Sequence, residues 1–256
     1  LLHVWNHGLF KSLLFLGAGA VVHATHTREI DRLGGLAQRM PRTAGLFLLG
    51  SAAICGLPPL NGFVSELFLY MGLFRTVGTG TDTVWTGAAA GVPVLALIGT
   101  LALACFVKVY GVAFLGEPRS QAARQAHEAP RTMLVSMAVL GLLCVAIGLL
   151  PVTLVPMLEG LARPWCAGAD ATMPTAMVTA LAWTGCLGCA LIATAGAGYG
   201  LMRAICRKAG TRAGTWDCGF IRPTARIQYT ASSFAQMLLH GLRWFLRPDI
   251  HRPVLR

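Results

Sequence analysis

From Val92 to Leu115 the chain carries one charged side chain, Lys108, in an otherwise apolar run. A stretch of that length folds as a helix crossing a bilayer, because only a helix satisfies its own backbone amides where no water is available. Five more runs read the same way: Leu1 to His23, Thr43 to Leu57, Phe63 to Val77, Thr132 to Leu150 and Thr175 to Met202. Hydrophobic residues make up 55% of the chain and charged residues 12%, with a mean hydropathy of +0.63, which argues against a soluble globule. The expected fold is an all-α membrane protein with about six transmembrane helices, one broken at a Pro-Pro corner, and an amphipathic helix near the C-terminal end. Residues 1–202 form the bundle and 203–256 a basic tail.

The corner is Pro58-Pro59, followed by Asn61-Gly62. Two prolines remove two amide donors, so the second and third runs make either a tight helix-to-helix corner or a discontinuous helix. The segment from Gly78 to Gly91 reads as a turn-rich connection, and the prolines at 151, 156, 164 and 174 make the one before the last run irregular. In the tail, Ala231 to Leu246 clusters Phe234, Met237, Leu238, Leu242, Phe245 and Leu246 on one helical face, fit to lie on a membrane or on partner helices.

The formal net charge is +11, and ten of the 21 Lys and Arg fall in the last 54 residues. No basic stretch is interleaved with aromatics on a recognisable module, so nucleic acid is not an expected partner. If all six runs cross, the loop Gly116 to Arg131 and the tail share one side with thirteen Lys and Arg. The loops Ala24 to Arg42, Gly78 to Gly91 and Val152 to Pro174 then share the other side with five. The positive-inside rule puts the tail in the cytoplasm and starts the first helix there too, against the pull of the four Arg between Ala24 and Arg42. Of the eight Cys, Cys186 and Cys189 form a C-x-x-C inside an apolar run with no second pair, which favours packing over a metal.

Among ten acidic residues only Glu66 lies inside an apolar run, and Lys11 and Lys108 are the lysines that do. Intramembrane ionisable groups are costly and belong by default to ion or proton paths. His3, His7 and Lys11 follow each other at four-residue steps, which sets them on one helical face about 6 Å apart along the axis. The candidate proton path is therefore Lys11, Glu66, His7, His3 and Lys108. For Glu66 and Lys11 a structural ion pair is the alternative, and Lys108 lies close enough to its run's end to snorkel. His23 and His26 are either the far exit of the row or ordinary interfacial residues. Arg75 is read as snorkelling. No nucleophile motif, phosphate loop or dinucleotide fingerprint is present, and neither a metal nor a cofactor is expected.

Three motifs in order carry a resemblance: His3-x3-His7-x3-Lys11 leading into Leu14-Phe-Leu-Gly-Ala-Gly, the loop with Arg32-Leu-Gly-Gly-Leu and Arg39-Met-Pro, and Gly56-Leu-Pro-Pro-Leu-Asn-Gly-Phe-Val-Ser-Glu66. Together they resemble the proton-conducting, antiporter-like membrane subunits of respiratory complex I and membrane-bound hydrogenases. Thr215-Trp-Asp-Cys-Gly-Phe with Arg226-Ile-Gln-Tyr-Thr-Ala-Ser-Ser-Phe-Ala is similar to the tail of the hydrogenase-4 and formate hydrogenlyase branch. The resemblance implies the C-terminal half of such a subunit, built from a five-helix repeat with one broken helix. It implies Lys11 as the central lysine, His3 and His7 as the histidines leading to it, and Glu66 as the ionisable group of the broken helix, a position where some relatives carry Lys. It further implies other membrane subunits and peripheral redox subunits as partners, the bacterial inner membrane as location, and a non-catalytic role in an oxidoreductase complex with no redox centre in this chain. Two other functions compete: a stand-alone cation/proton antiporter component, and a structural membrane anchor for peripheral redox subunits.

Overall fold

A computed structural model describes residues 1–79, 82–165, 172–206 and 224–247, and among them every regular element is helical. The six apolar runs all become helices. They are α1 (Leu2–Thr25), α3 (Pro41–Ile54), α4 (Asn61–Thr79), α5 (Asp82–Ala113), α7 (Arg131–Leu149) and α9 (Thr175–Cys206), with short α2 (Leu36–Arg39), α6 (Gln121–Gln125) and α8 (Val155–Ala162) in the connections. Four of these, α1, α5, α7 and α9, are long and apolar enough to cross a membrane unaided.

Within the expected connection from Gly78 to Gly91 the described residues are helical instead. α4 continues to Thr79 and α5 starts at Asp82, with Pro93 inside it. Gly and Pro weaken a helix in water, but a helix that has no water to bond to keeps its internal bonds and absorbs both.

Contacts along α1 establish how α3 and α4 are joined. Gly17 packs on Phe47, Leu13 and Leu14 on Gly50, and Phe10 clusters with Ala53. Then Asn6 bonds to Asn61 and His3 to Ser65. The order runs steadily down α1 while it runs up α3 and on into α4, so α4 prolongs α3 rather than folding back. The junction has a clear local cause. α3 closes with Gly56 at a φ of 63°, while the Gly56 amide donates to Ala53 O at 3.1 Å and the Leu57 amide to Ala52 O at 3.0 Å. That is the paired bond pattern of a glycine-terminated helix, and the two prolines that follow cannot resume it. α4 restarts at Asn61.

This continuity corrects the expected sidedness, which required the second and third runs to cross separately. The Gly35 amide donates to Leu115 O at 2.9 Å and the Ala37 amide to Phe114 O at 2.8 Å, so the loop after α1 lies against the loop after α5. Leu36, Met40, Phe47, Phe114, Ala123 and Leu134 form the core there. Arg28, Arg32, Arg39 and Arg42 therefore share one end of the bundle with Arg119, Arg124 and Arg131. The other end gathers Leu2, Val64, Val155 and Leu181 around the start of α9.

The chain returns to the basic end after α9. The helix expected from Ala231 to Leu246 is split at Leu242 into α10 (Ala231–Gly241) and α11 (Arg243–Leu246), following the helix-weakening Gly241. Thr230 caps α10 through a reciprocal bond pair with Ser233. The motif from Thr215 to Phe220 lies outside the described residues. Cys186 and Cys189 are free thiols on the exposed face of α9.

Candidate functional site

Asn61 opens α4 and Glu66 lies a little over one turn in. Side chains on a helix lean toward its N-terminus, so the Glu66 carboxylate turns back under the break. It is half-buried against Gly56, where a Cβ would overlap the carboxylate oxygens. Cys55 is its close neighbour, with Cys105 of α5 beyond. Among the described residues Glu66 has no ion-pair partner.

α1 reaches the same place. His3 Nδ1 lies 3.1 Å from Ser65 Oγ, the residue beside Glu66. The His3 and His7 rings stand 6.0 Å apart, and His7 meets Phe10 edge-on at 5.2 Å. The four-residue spacing thus delivers two imidazoles to the break, both half-buried.

The other expected groups lie elsewhere. Lys11 is on the outer face of α1 with exposed Val4 and Phe15, its ammonium 5.9 Å from the Phe15 ring centre. Lys108 is half-buried in a groove between α5 and the tail, lined by Val107, Gly111, Arg119, Gln228 and Phe234. His23 and His26 are exposed at the basic end beside Arg28 and Arg32, about 30 Å of helix rise from His3. The structure therefore brings His3 and His7 to the first turn of α4 through Ser65, while the Glu66 carboxylate faces Gly56 and Cys55 on another side of that helix, and Lys11 and Lys108 lie apart from both.

Three further residues at the break are polar but carry no charge, so they do not stand out among the ionisable groups of the sequence. Asn6 is fully buried and its Nδ2 donates to Asn61 O at 2.9 Å. Ser65 Oγ donates to Gly62 O at 3.0 Å and Asn61 O at 3.2 Å. Asn61 is fully buried as well, with the buried Cys144 thiol of α7 facing its side chain. The available signal was Asn6, an amide side chain one turn from His3 and next to His7 in a mostly apolar helix.

Residues 1–90 match the family described as NADH:quinone oxidoreductase/Mrp antiporter, transmembrane. Hydrogenase-4 component B of Escherichia coli K12 is 43% identical over 173 residues, 68% of this chain and 26% of that protein. Formate hydrogenlyase subunit 3 of the same organism is 36% identical over 239 residues, 92% of this chain and 38% of that protein. The chain thus spans between a quarter and two-fifths of the length of these relatives. The archaeal membrane-bound sulfane sulfur reductase, a respiratory membrane complex, contains a chain of the same fold. Its TM-score is 0.58 at 20% identity, over 95% of this chain and 39% of that one.

Proposed function

We propose, from the premise that residues 1–90 belong to the NADH:quinone oxidoreductase/Mrp antiporter transmembrane family, that this chain is part of a proton-translocating membrane subunit. The complex it serves is of the hydrogenase or formate hydrogenlyase type, given its similarity to those two subunits. The observation that carries the proposal is the contact of His3 with Ser65, which sets two imidazoles of α1 against the break that holds Glu66. An imidazole and a carboxylate exchange protons near neutral pH at little energetic cost, and the broken backbone supplies carbonyls that order water between them.

In this mechanism Glu66 takes up and releases a proton at the break, His3 and His7 pass it along α1, and Lys11 receives it on the outer face. A charged lysine facing lipid near the bilayer centre costs about 3 kcal/mol. The face of α1 that carries Lys11 is accordingly covered by protein, from another membrane subunit or from the part of the polypeptide outside this chain. Lys108, in its groove under the tail, joins the path at the basic end. Peripheral redox subunits drive the charge movements. The chain makes five passages, counting α3 and α4 as one broken helix. By the positive-inside rule the end with Arg28, Arg42, Arg119 and Arg131 is cytoplasmic, so α1 begins at the opposite face of the inner membrane.

The test uses the full-length protein in its assembled complex in inverted membrane vesicles, with proton uptake and redox turnover followed together. Glu66→Gln and Lys11→Ala are each expected to abolish redox-linked uptake. Undiminished uptake in both sinks the proposal. Because the matched family also includes Mrp antiporters, sodium-dependent transport without any redox substrate would favour a cation/proton antiporter instead.

A further inference from the structure

The break contains a set of polar atoms that protein groups do not satisfy. Asn6 Oδ1 and both the Oδ1 and Nδ2 of Asn61 meet no nitrogen or oxygen partner among the described residues, although both side chains are fully buried, and the one polar group facing Asn61 there is the weakly bonding Cys144 thiol. Each unpaired buried amide atom costs about 1–3 kcal/mol, and native interiors leave few of them. Neither side chain exposes any surface, so a neighbouring subunit cannot reach these atoms without prising α1 away from α4. Their partner has to be small and internal.

Water fits that description. A buried water forms about three hydrogen bonds, and two amide acceptors with one donor offer that complement. The surroundings are as polar as such a site requires. Asn61 O already accepts from Asn6 Nδ2 and from Ser65 Oγ, and Ser65 in turn meets His3 Nδ1. Pro58 and Pro59 bring no amide hydrogens, which leaves the local backbone rich in acceptors and short of donors.

We propose that Asn6 and Asn61 hold ordered water at the Pro58-Pro59 break, and that they are positioning residues for proton transfer between His3 and Glu66. The water site stands on the geometry alone; its positioning role rests on the proton path proposed above. Neither asparagine titrates, so each acts by fixing the molecule through which a proton hops. The Ser65 hydroxyl extends the same chain to the imidazole.

Infrared difference spectra of the full-length protein in its complex, recorded in ordinary and in oxygen-18 water, test the site. Wild type is expected to show a water O–H stretch that shifts with oxygen-18. The band persists in Glu66→Gln and is lost in Asn6→Leu and Asn61→Leu. Asn6→Ser and Asn61→Ser put a hydroxyl in place of the amide and displace the band without removing it, and they decide the matter if the leucine variants do not assemble. Proton uptake in Asn61→Leu falls about a hundredfold, the low end of what a positioned proton-transfer group supplies, and Asn61→Ser recovers part of it. A wild-type spectrum without an isotope-sensitive band, or one unchanged in every asparagine variant, overturns the water site. A band that behaves as expected beside undiminished uptake in the Asn61 variants overturns the positioning role. Undiminished uptake in Glu66→Gln with the band intact overturns the proton path and leaves the water site standing.

Discussion

Glu128 reaches from the loop before α7 to the first turn of α3, where it accepts from the Arg42 amide at 2.8 Å, the Thr43 amide at 3.3 Å and the Thr43 hydroxyl at 2.6 Å. Burial pushes its carboxyl upward, but the Thr43 hydroxyl and the amides of Arg42, Ala129 and Thr43 outweigh that and hold it below its ordinary 4.5. Asp31 is likewise held below its ordinary 3.8, chiefly by the Ser232 hydroxyl. A carboxylate lowered on folding adds stability that is full above its ordinary value and is lost as pH falls through the folded one. The melting temperature of the detergent-purified protein should therefore hold from neutral pH to about 5 and decline below about 4. Glu128→Gln should flatten that decline and cost about 1 kcal/mol at neutral pH, the usual worth of a helix cap. An acid limb as steep in the variant as in wild type would contradict the assignment.

At the scale of the elements, the helix break is held by glycines of its neighbours. A Cβ on Gly148 of α7 would overlap Pro59 O and stand 2.7 Å from Leu60 Cα, and one on Gly188 of α9 would meet Pro59 Cβ at 2.5 Å. Between membrane helices the lipid gives no hydrophobic drive to association, so close approach of small residues does much of the holding. Gly148→Val should cost about 1–3 kcal/mol or prevent assembly, because backbone cannot retreat as a side chain can. Gly99→Ala, on α5 with no atom within 4 Å of the new methyl, should leave the melting temperature unchanged or slightly raised. Equal losses for the two would show that the break is not held in this way.

For the whole molecule, the joining of α3 to α4 places the loop after α1, the loop after α5 and the described tail at one end. Asp31 fastens the tail there, accepting from the Ala231 amide and the Ser232 hydroxyl, each at 2.6 Å. Arg119 adds bonds to Leu33 O at 3.3 Å, Val112 O at 2.9 Å and Tyr229 O at 3.0 Å. Asp31→Ala should release α10 and speed tryptic cleavage at the exposed Arg243, measured by mass spectrometry; an unchanged rate would mean the latch does not hold the tail. In a background without native cysteines, Arg28→Cys and Arg124→Cys should label from the same side of sealed vesicles and Glu159→Cys from the other. Arg28→Cys labelling together with Glu159→Cys would restore the arrangement in which the two runs cross separately.

By itself the sequence determined the all-α membrane class, the six helical runs, the break at Pro58-Pro59 and the isolation of Glu66, because bilayer thickness, backbone satisfaction and the cost of burying charge act on local composition. The i, i+4 spacing also put His3, His7 and Lys11 on one face. Which neighbour that face meets was decided only by tertiary packing, which turned His3 toward Ser65 and left Lys11 on the outside. Asn6 and Asn61 stayed hidden for the same reason: a neutral amide is unremarkable in a run of sequence, and its unpaired atoms exist only once α1 and α4 close over them. The sidedness of the loops also waited on the fold. Two prolines are compatible with a hairpin or a continuation, and only the ordered contacts along α1 select between them.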